Sequence, residues 1–245
     1  MTSAAAMDYL ESFRVVRYAP MTMFGVDVSI TNSVVWMWVA AGTSLVAFLL
    51  LTMRRQLVPG RAQLVAELAW EFVENLVRNN IRPEGWWHVP LLFTLFHFVL
   101  FCNCIGLIPG AFTPTSQIVV TGTLAACIFA YTVVLRIALH GPRFLLAFVP
   151  RGTPAWLWPL MIPIEVLSFA ARPVTLAVRL FANMTAGHTV LGVIAGLGLA
   201  IPWFAAWVPL GMSVVLLAAE VFIGAIQAYI FTVLSCVYID DAYGE

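Results

Sequence analysis

The chain has 245 residues, of which 62% are hydrophobic and 10% are charged, and its mean hydropathy is +0.96. Soluble proteins carry about 25% charged residues, so this composition excludes an ordinary soluble domain and indicates a protein with several membrane spans. The formal net charge is zero, which gives no reason to expect nucleic acid as a partner.

The first predicted span covers residues 33–53. At a rise of about 1.5 Å per residue it can cross a hydrocarbon core of about 30 Å. Arg54, Arg55 and Arg61 follow it, so the positive-inside rule places this end inside and the N-terminus outside. The N-terminal residues show neither the basic region and short apolar core of a signal peptide nor an Arg- and Ser-rich transit sequence. We therefore expect an uncleaved start.

Residues 61–80 are predicted to form an amphipathic helix that lies along the inner membrane surface. One stripe of this segment is apolar, and the opposite stripe carries Glu67, Glu71, Glu74 and Arg78. The alternative is a helix of a soluble domain, which is disfavoured because no other segment could build such a domain around it.

Two further spans are predicted, at residues 89–109 and 117–139. Trp86 and Trp87 precede the first of them as an interfacial belt. Basic residues return at and after the end of the second span: Arg136, Arg143 and Arg151. This end therefore also lies inside, in agreement with the orientation of the first span.

The rest of the chain is predicted to form a hairpin of two long apolar helices, residues 160–195 and 210–238, separated by Gly196, Gly198, Pro202 and Pro209. A helix of about thirty-five residues extends about 50 Å, so each must be strongly tilted. Several shorter spans broken near Pro173 are an alternative. The predicted fold is a single all-α membrane domain, residues 1–245, with about five membrane-embedded helices and one surface helix.

Arg179 lies in an apolar stretch, residues 156–200, whose other formal charges are Glu165 and Arg172. A guanidinium keeps its proton at physiological pH, and placing it at the bilayer centre costs roughly 2.5–3.5 kcal/mol. An opposing group that needs a permanent positive charge would explain its presence. The alternative is a structural salt bridge to a carboxylate of this chain: Glu165 lies about 20 Å along the same helix by its rise, and Glu220 is the only other candidate.

Glu165, Arg172 and Arg179 are spaced by seven residues, so successive members share one helix face to within about 20°. Asn183 lies about 40° round from Arg179 on the same stripe. We interpret Arg172 as a residue that extends toward the interface or bonds carbonyl groups freed by Pro173.

His188 lies about 180° away from Arg179 around the helix and so faces different surroundings. An antiparallel hairpin would bring Gln227 level with Asn183 and within reach of Arg179, and would bring Glu220 toward His188. We therefore expect His188 and Glu220 to meet on the outer side. The alternatives are a packing role for His188 and an interhelical hydrogen bond for Gln227.

The cysteines are interpreted as small buried hydrophobic residues rather than as disulfide partners or metal ligands: Cys102, Cys104, Cys127 and Cys236. No Gly-x-Ser-x-Gly or His-Glu-x-x-His motif is present for an intramembrane enzyme. A secondary transporter or proton channel is the main alternative class. Such a transporter should contain inverted repeats or broken helices in two halves, and neither is visible.

Three segments carry a resemblance to a known family: Ile164-Glu-Val-Leu-Ser-Phe169, Arg172-Pro-Val-Thr-Leu-Ala-Val-Arg-Leu-Phe-Ala-Asn-Met-Thr-Ala-Gly-His188 and Glu220-Val-Phe-Ile-Gly-Ala-Ile-Gln-Ala-Tyr-Ile-Phe-Thr-Val-Leu234. They resemble subunit a of the F-type ATP synthases, and the similarity extends over nearly the whole chain. The Ala-Gly-His ending and Glu220 are similar to the mitochondrial and alphaproteobacterial branch.

The resemblance implies a proton-channel stator subunit, not itself catalytic, whose long helices lie against a rotating ring of c subunits. Arg179 would face the ring carboxylate, and protons would move through residues of two half-channels: His188, Glu220, Asn183, Gln227 and Glu165. The implied partners are the c ring, b-type subunits of the peripheral stalk and the lipid bilayer, with no cofactor or metal. A bacterial inner membrane is favoured over a mitochondrial one, with the C-terminus inside.

Overall fold

The computed structural model describes residues 16–19, 22–23, 26–27, 29–53, 56, 59–108, 110–141, 155–202 and 204–244. Several arginines used above to predict orientation lie outside these residues: Arg54, Arg55, Arg143 and Arg151. Two short antiparallel strand pairs precede the helices, β1 (Arg17–Ala19) with β4 (Ile30–Thr31) and β2 (Thr22–Met23) with β3 (Val26–Asp27).

Six long helices follow in the described part of the chain: α1 (Asn32–Thr52), α2 (Arg61–Asn80), α3 (Val89–Gly106), α4 (Ile118–His140), α5 (Trp158–Ala200) and α6 (Trp207–Tyr243). Short 3-10 helices lie at Pro83–His88, Pro114–Ser116 and Ala155–Leu157. All of the long helices except α2 are long and apolar enough to cross a membrane. The predicted fold class is confirmed, because these five apolar helices are present and the last two contact each other.

Helix α6 lies at the centre of the packing and contacts α3, α4 and α5. One face of its C-terminal half is buried, with Phe231 and Ile239 fully enclosed, and Leu92 and Val99 of α3 complete this core. Its N-terminal half, by contrast, exposes large apolar side chains such as Phe222, which is 67% exposed. Such a surface is stable only against lipid or other subunits.

Helix α5 is 43 residues long and runs through Pro163 and Pro173 without a break, so the alternative of several shorter spans is wrong. Proline is tolerated inside membrane helices because neighbouring groups satisfy the freed carbonyls. The predicted separators also differ from the structure, since Gly196 and Gly198 lie inside α5 and Pro209 inside the first turn of α6. A Cβ added at Gly198 would lie 3.4 Å from the Pro209 ring, an ordinary contact distance, so α5 and α6 pack against each other at this level.

Helix α2 packs against α1, α3 and α6 through Val73, Leu76 and Val77. Four other apolar residues of this helix are exposed: Leu64, Val65, Leu68 and Phe72. On the acidic side, Arg78 donates two hydrogen bonds to Glu74, of 2.8 and 2.6 Å, which hold the pKa of that carboxyl below its usual value. The position of α2 along the membrane surface stays a prediction.

The C-terminal end of α6 is tethered to the segment that precedes α3. Both ring nitrogens of His88 lie within hydrogen-bond distance of tyrosine hydroxyls, Tyr131 on α4 at 2.8 Å and Tyr243 on α6 at 3.0 Å. The backbone N–H of Arg82 donates to Asp240 at 3.0 Å. These bonds join three elements at one end of the helix bundle.

Arg172 makes a second tether at the same end, because its guanidinium pairs with Asp241 of α6 at 2.5 Å. The aromatic rings of Phe169 and Tyr238 flank the charge at 5.7 and 5.5 Å. The interpretation that Arg172 bonds carbonyls freed by Pro173 is therefore wrong. A small cavity of about 10 Å³, lined by Arg136 among others, adjoins the pair and has room for one water molecule.

Reversing the charge of Arg172 should loosen this end of the hairpin. Arg172→Asp places two carboxylates side by side, and we expect a loss of about 1 kcal/mol in stability, roughly a fivefold change in the folded ratio. The measurement is the thermal denaturation midpoint of the chain in detergent. The double variant Arg172→Asp, Asp241→Arg should recover at least part of the loss. Equal midpoints for the single variant and the wild-type chain would contradict the tether.

Candidate functional site

Arg179 lies on an exposed part of α5. Its helical neighbours Leu176, Ala177 and Leu180 are buried, whereas Arg179 itself is exposed. Within the described residues it forms no ion pair and no hydrogen bond, since the ion pairs there involve other arginines. A structural salt bridge to another residue of the described part of the chain therefore does not explain the charge.

The face of α5 around Arg179 is built from small side chains. Thr175, Ala182 and Ala186 are all exposed and lie one or two turns from Arg179 on the same side of the helix. Glycine and alanine-like surfaces let another helix approach closely within a membrane. A partner helix could thus come near enough to bring a side chain to the guanidinium.

The other members of the predicted stripe are less exposed than Arg179. Glu165 and Asn183 are half-buried, and Arg172 turns toward Asp241. Glu165 lies some 20 Å from Arg179 along the same helix, calculated from the helical rise. The predicted common face is therefore not uniform, because Arg172 leaves it to meet a partner on α6.

Gln227 is buried at 4% exposure, and its side-chain nitrogen has no hydrogen-bond partner among the described residues. Three residues earlier on α6, the Gly224 carbonyl accepts a hydrogen bond of 3.0 Å from Asn103 of α3. The Thr115 hydroxyl donates to Asn103 at 2.8 Å. Polar groups from α3, α6 and the Pro114–Ser116 turn therefore meet inside the apolar packing.

Glu220 lies against Gly187, the residue before His188, so the antiparallel hairpin brings Glu220 to the level of His188. A Cβ added at Gly187 would collide with the Glu220 carboxylate. Both carboxylate oxygens of Glu220 are buried, and neither has a hydrogen-bond partner in the described part of the chain. The expected neighbourhood of His188 and Glu220 is present, but no hydrogen bond joins them.

His188 instead bonds to Thr113, whose hydroxyl oxygen lies 3.0 Å from the Nε2 atom of the ring. The same hydroxyl donates to the carbonyl of Gly106 at 3.2 Å. Sequence reasoning missed Thr113, Thr115 and Asn103. The signal that could have found two of them is the run of hydroxyl residues between two apolar spans, Thr113-Pro-Thr-Ser116.

The charge of Arg179 and the polar surroundings of His188 lie at different levels of α5. His188 lies about 13 Å from Arg179 by helical rise, among polar residues from α3, α6 and the loop between α3 and α4. A buried carboxyl group with no partner, such as Glu220, is able to exchange a proton with water that reaches it. No cluster of three or more His, Cys, Asp or Glu side chains suited to a metal occurs among the described residues.

Comparison with known proteins gives one consistent result. A family model described as ATP synthase A chain matches residues 34–240. A protein of Magnetococcus marinus described as ATP synthase subunit a is 48% identical over 248 residues, which cover 98% of this chain and 95% of that protein. A match of this extent leaves no support for a secondary transporter. The chain belongs to the ATP synthase A chain family, as a multi-pass, non-catalytic subunit a that forms the proton-conducting stator of the F-type membrane sector.

Proposed function

We propose that Arg179 faces a carboxylate carried by a rotating ring of c subunits, and that this ring covers the small-residue face of α5. The observation that carries the proposal is the exposed guanidinium without an ion-pair partner in the described chain. An unpaired charge at mid-membrane costs roughly 2.5–3.5 kcal/mol, so a carboxylate from another subunit is the partner that removes this cost.

A fixed positive charge favours the ionised form of a nearby carboxylate. Each ring site that reaches Arg179 would therefore release its proton, and the guanidinium would block a direct leak between the two half-channels. Each proton that crosses a potential of 100 mV delivers about 2.3 kcal/mol, which the ring takes up as rotation.

The two half-channels are assigned to different levels of the hairpin. His188 and Glu220 supply the outer one, Asn183 and Gln227 line the centre near Arg179, and Glu165 belongs to the inner exit. Support comes from the partnerless oxygens of Glu220 and the buried amide of Gln227, which leave hydrogen-bonding capacity for water.

The inner side is assigned to the end of the bundle that carries the α6 C-terminus. Three arginines gather there, Arg82, Arg136 and Arg172, and a cluster of this kind favours the cytoplasmic side. The bacterial relative supports a bacterial inner membrane. The exposed apolar surface of α1, including Trp38 and Leu45, is available to b-type stalk subunits and lipid.

Cysteine cross-linking tests the position of the ring. In a complex whose native cysteines are replaced by alanine, Ala182→Cys should form a disulfide with a cysteine placed beside the ring carboxylate. Met184→Cys is the matched control, because Met184 is 4% exposed and faces the inside of the chain. Efficient cross-linking at 184 and none at 182 would place the ring on another face and would refute the proposal.

A further inference from the structure

We propose that Thr113 is a positioning residue that fixes the protonation state of the His188 ring for proton transfer in the outer half-channel. This inference rests on the proposed role of His188. Thr113 is 6% exposed, lies in a non-helical segment between α3 and α4, and reaches across to α5. The Thr113 side chain has no charge and no aromatic ring, and its hydroxyl is the one group that can form a hydrogen bond.

The hydrogen bonds of Thr113 determine which atom of His188 carries the proton. The Gly106 carbonyl can only accept, so the single hydroxyl proton of Thr113 is donated to it. Toward His188 the hydroxyl oxygen must therefore accept, and the Nε2 atom of the ring must donate. In the neutral imidazole the lone pair is then on Nδ1.

Proton transfer follows from this assignment without rotation of the ring. Nδ1 accepts a proton from water on the outer side, which gives an imidazolium whose Nε2–H stays hydrogen-bonded to the Thr113 oxygen. The imidazolium then releases the Nδ1 proton through water to the Glu220 carboxylate, which becomes a carboxylic acid. Glu220 lies against Gly187, so its carboxyl group is at the level of the ring.

The surroundings hold Thr113 in place. A Cβ added at Gly106 would collide with the Thr113 side chain, so glycine on α3 is what permits the close approach of the loop. The Ser116 hydroxyl donates to the Thr113 carbonyl at 2.7 Å, and Pro114 begins the 3-10 turn that follows. Gly110 turns the chain back toward α5 with a φ of 88°, a left-handed conformation that favours glycine.

The test compares three variants in the complete complex. Thr113→Val keeps the shape but removes the hydroxyl, and we expect ATP-driven proton pumping to slow by about tenfold, since one orienting hydrogen bond is lost. Thr113→Ser keeps the hydroxyl and should retain at least about half of the rate. Thr123→Val is the matched control, because the Thr123 hydroxyl is exposed on α4 and donates only within its own helix.

NMR of ¹⁵N-labelled histidine reports which ring nitrogen carries the proton. A merely structural role of Thr113 would leave this signal unchanged. The His188 signal is obtained by subtracting the spectrum of the His188→Ala complex. The wild-type and Ser complexes should show neutral His188 protonated on Nε2, and the Val complex should show both neutral forms. Rates are expressed per membrane-bound ATPase, and Thr113→Ala replaces the Val variant if that variant does not assemble.

His188→Ala separates failure of this inference from failure of the proposed function. Wild-type pumping in His188→Ala would overturn the role of His188 itself. Slow pumping in His188→Ala together with wild-type pumping in Thr113→Val would overturn only the role of Thr113. Equally slow pumping in Thr113→Val and Thr113→Ser would also overturn the role of Thr113, because the hydroxyl would then not be the operative group.

Discussion

Replacing Arg179 with alanine should reduce ATP synthesis to a small residual rate while the chain still inserts and assembles. The side chain is exposed and has no ion-pair partner in the described residues, so its removal leaves no buried group unpaired within this subunit. We expect a loss of about 10²–10³-fold, the scale found when one preorganised electrostatic group is removed. Arg179→Lys should fail as well, since an ammonium lacks the planar fork and can lose its proton when buried.

The measurement is ATP synthesis by membrane vesicles under an imposed proton gradient, with assembly followed as membrane-bound ATPase. Arg78→Ala is the matched control, because Arg78 is an exposed arginine on α2 whose hydrogen bonds go to Glu74 on the same helix. Its variant should synthesise ATP near the wild-type rate. Robust synthesis by either Arg179 variant would show that the ring carboxylate does not depend on this charge.

Gly187→Ala should slow proton translocation about 10–100-fold without preventing assembly. The new methyl group would occupy the space of the Glu220 carboxylate, which is the far end of a flexible side chain and can move aside. The fold is therefore spared while the carboxyl group is displaced by about 1 Å, and misplacement on this scale can cost about 10²-fold in rate. Initial rates of ATP-driven pumping measure the effect.

A matched control and a compensating change sharpen this prediction. Gly122→Ala on α4 adds the same methyl group where no atom lies within 4 Å, and it should leave the rate unchanged. Glu220→Asp shortens the side chain by one methylene and should restore part of the rate of Gly187→Ala, a coupling expected of residues in contact. Independent effects of the two substitutions would contradict the contact.

The five apolar helices could be predicted from the sequence because a segment in lipid must satisfy its own backbone hydrogen bonds. The unbroken course of α5 could not be predicted. The sequence around Pro173 is the same whether a helix ends there or continues because neighbouring groups satisfy the freed carbonyls. The Gly and Pro pattern also predicts a broader turn than the structure contains. Pro209 lies in the first turn of α6, where a proline has no hydrogen bond to lose.

The candidate site, like the fold, could be predicted from the sequence only in part. The isolated charge of Arg179 was visible in the sequence, and the exposed position of this residue agrees with a partner outside the chain. The contact of Arg172 with Asp241 spans 69 residues, and no helical periodicity predicts which distant residue a long side chain will meet. Thr113 was missed because a neutral loop residue acquires a role only when the loop folds back onto α5.

The small residues beside Arg179 also determine how much resistance a moving partner would meet. Helices usually interlock, with the ridges of one in the grooves of the other, and each interlocked position is a separate energy well. Thr175, Ala182 and Ala186 raise almost no ridge, so ring helices in the proposed position would slide along this face with nearly constant contact energy. Charge rather than shape would then distinguish one position of the ring from the next. In the proposed arrangement this face would offer a smooth sliding surface, and the charge of Arg179 would mark one position on it.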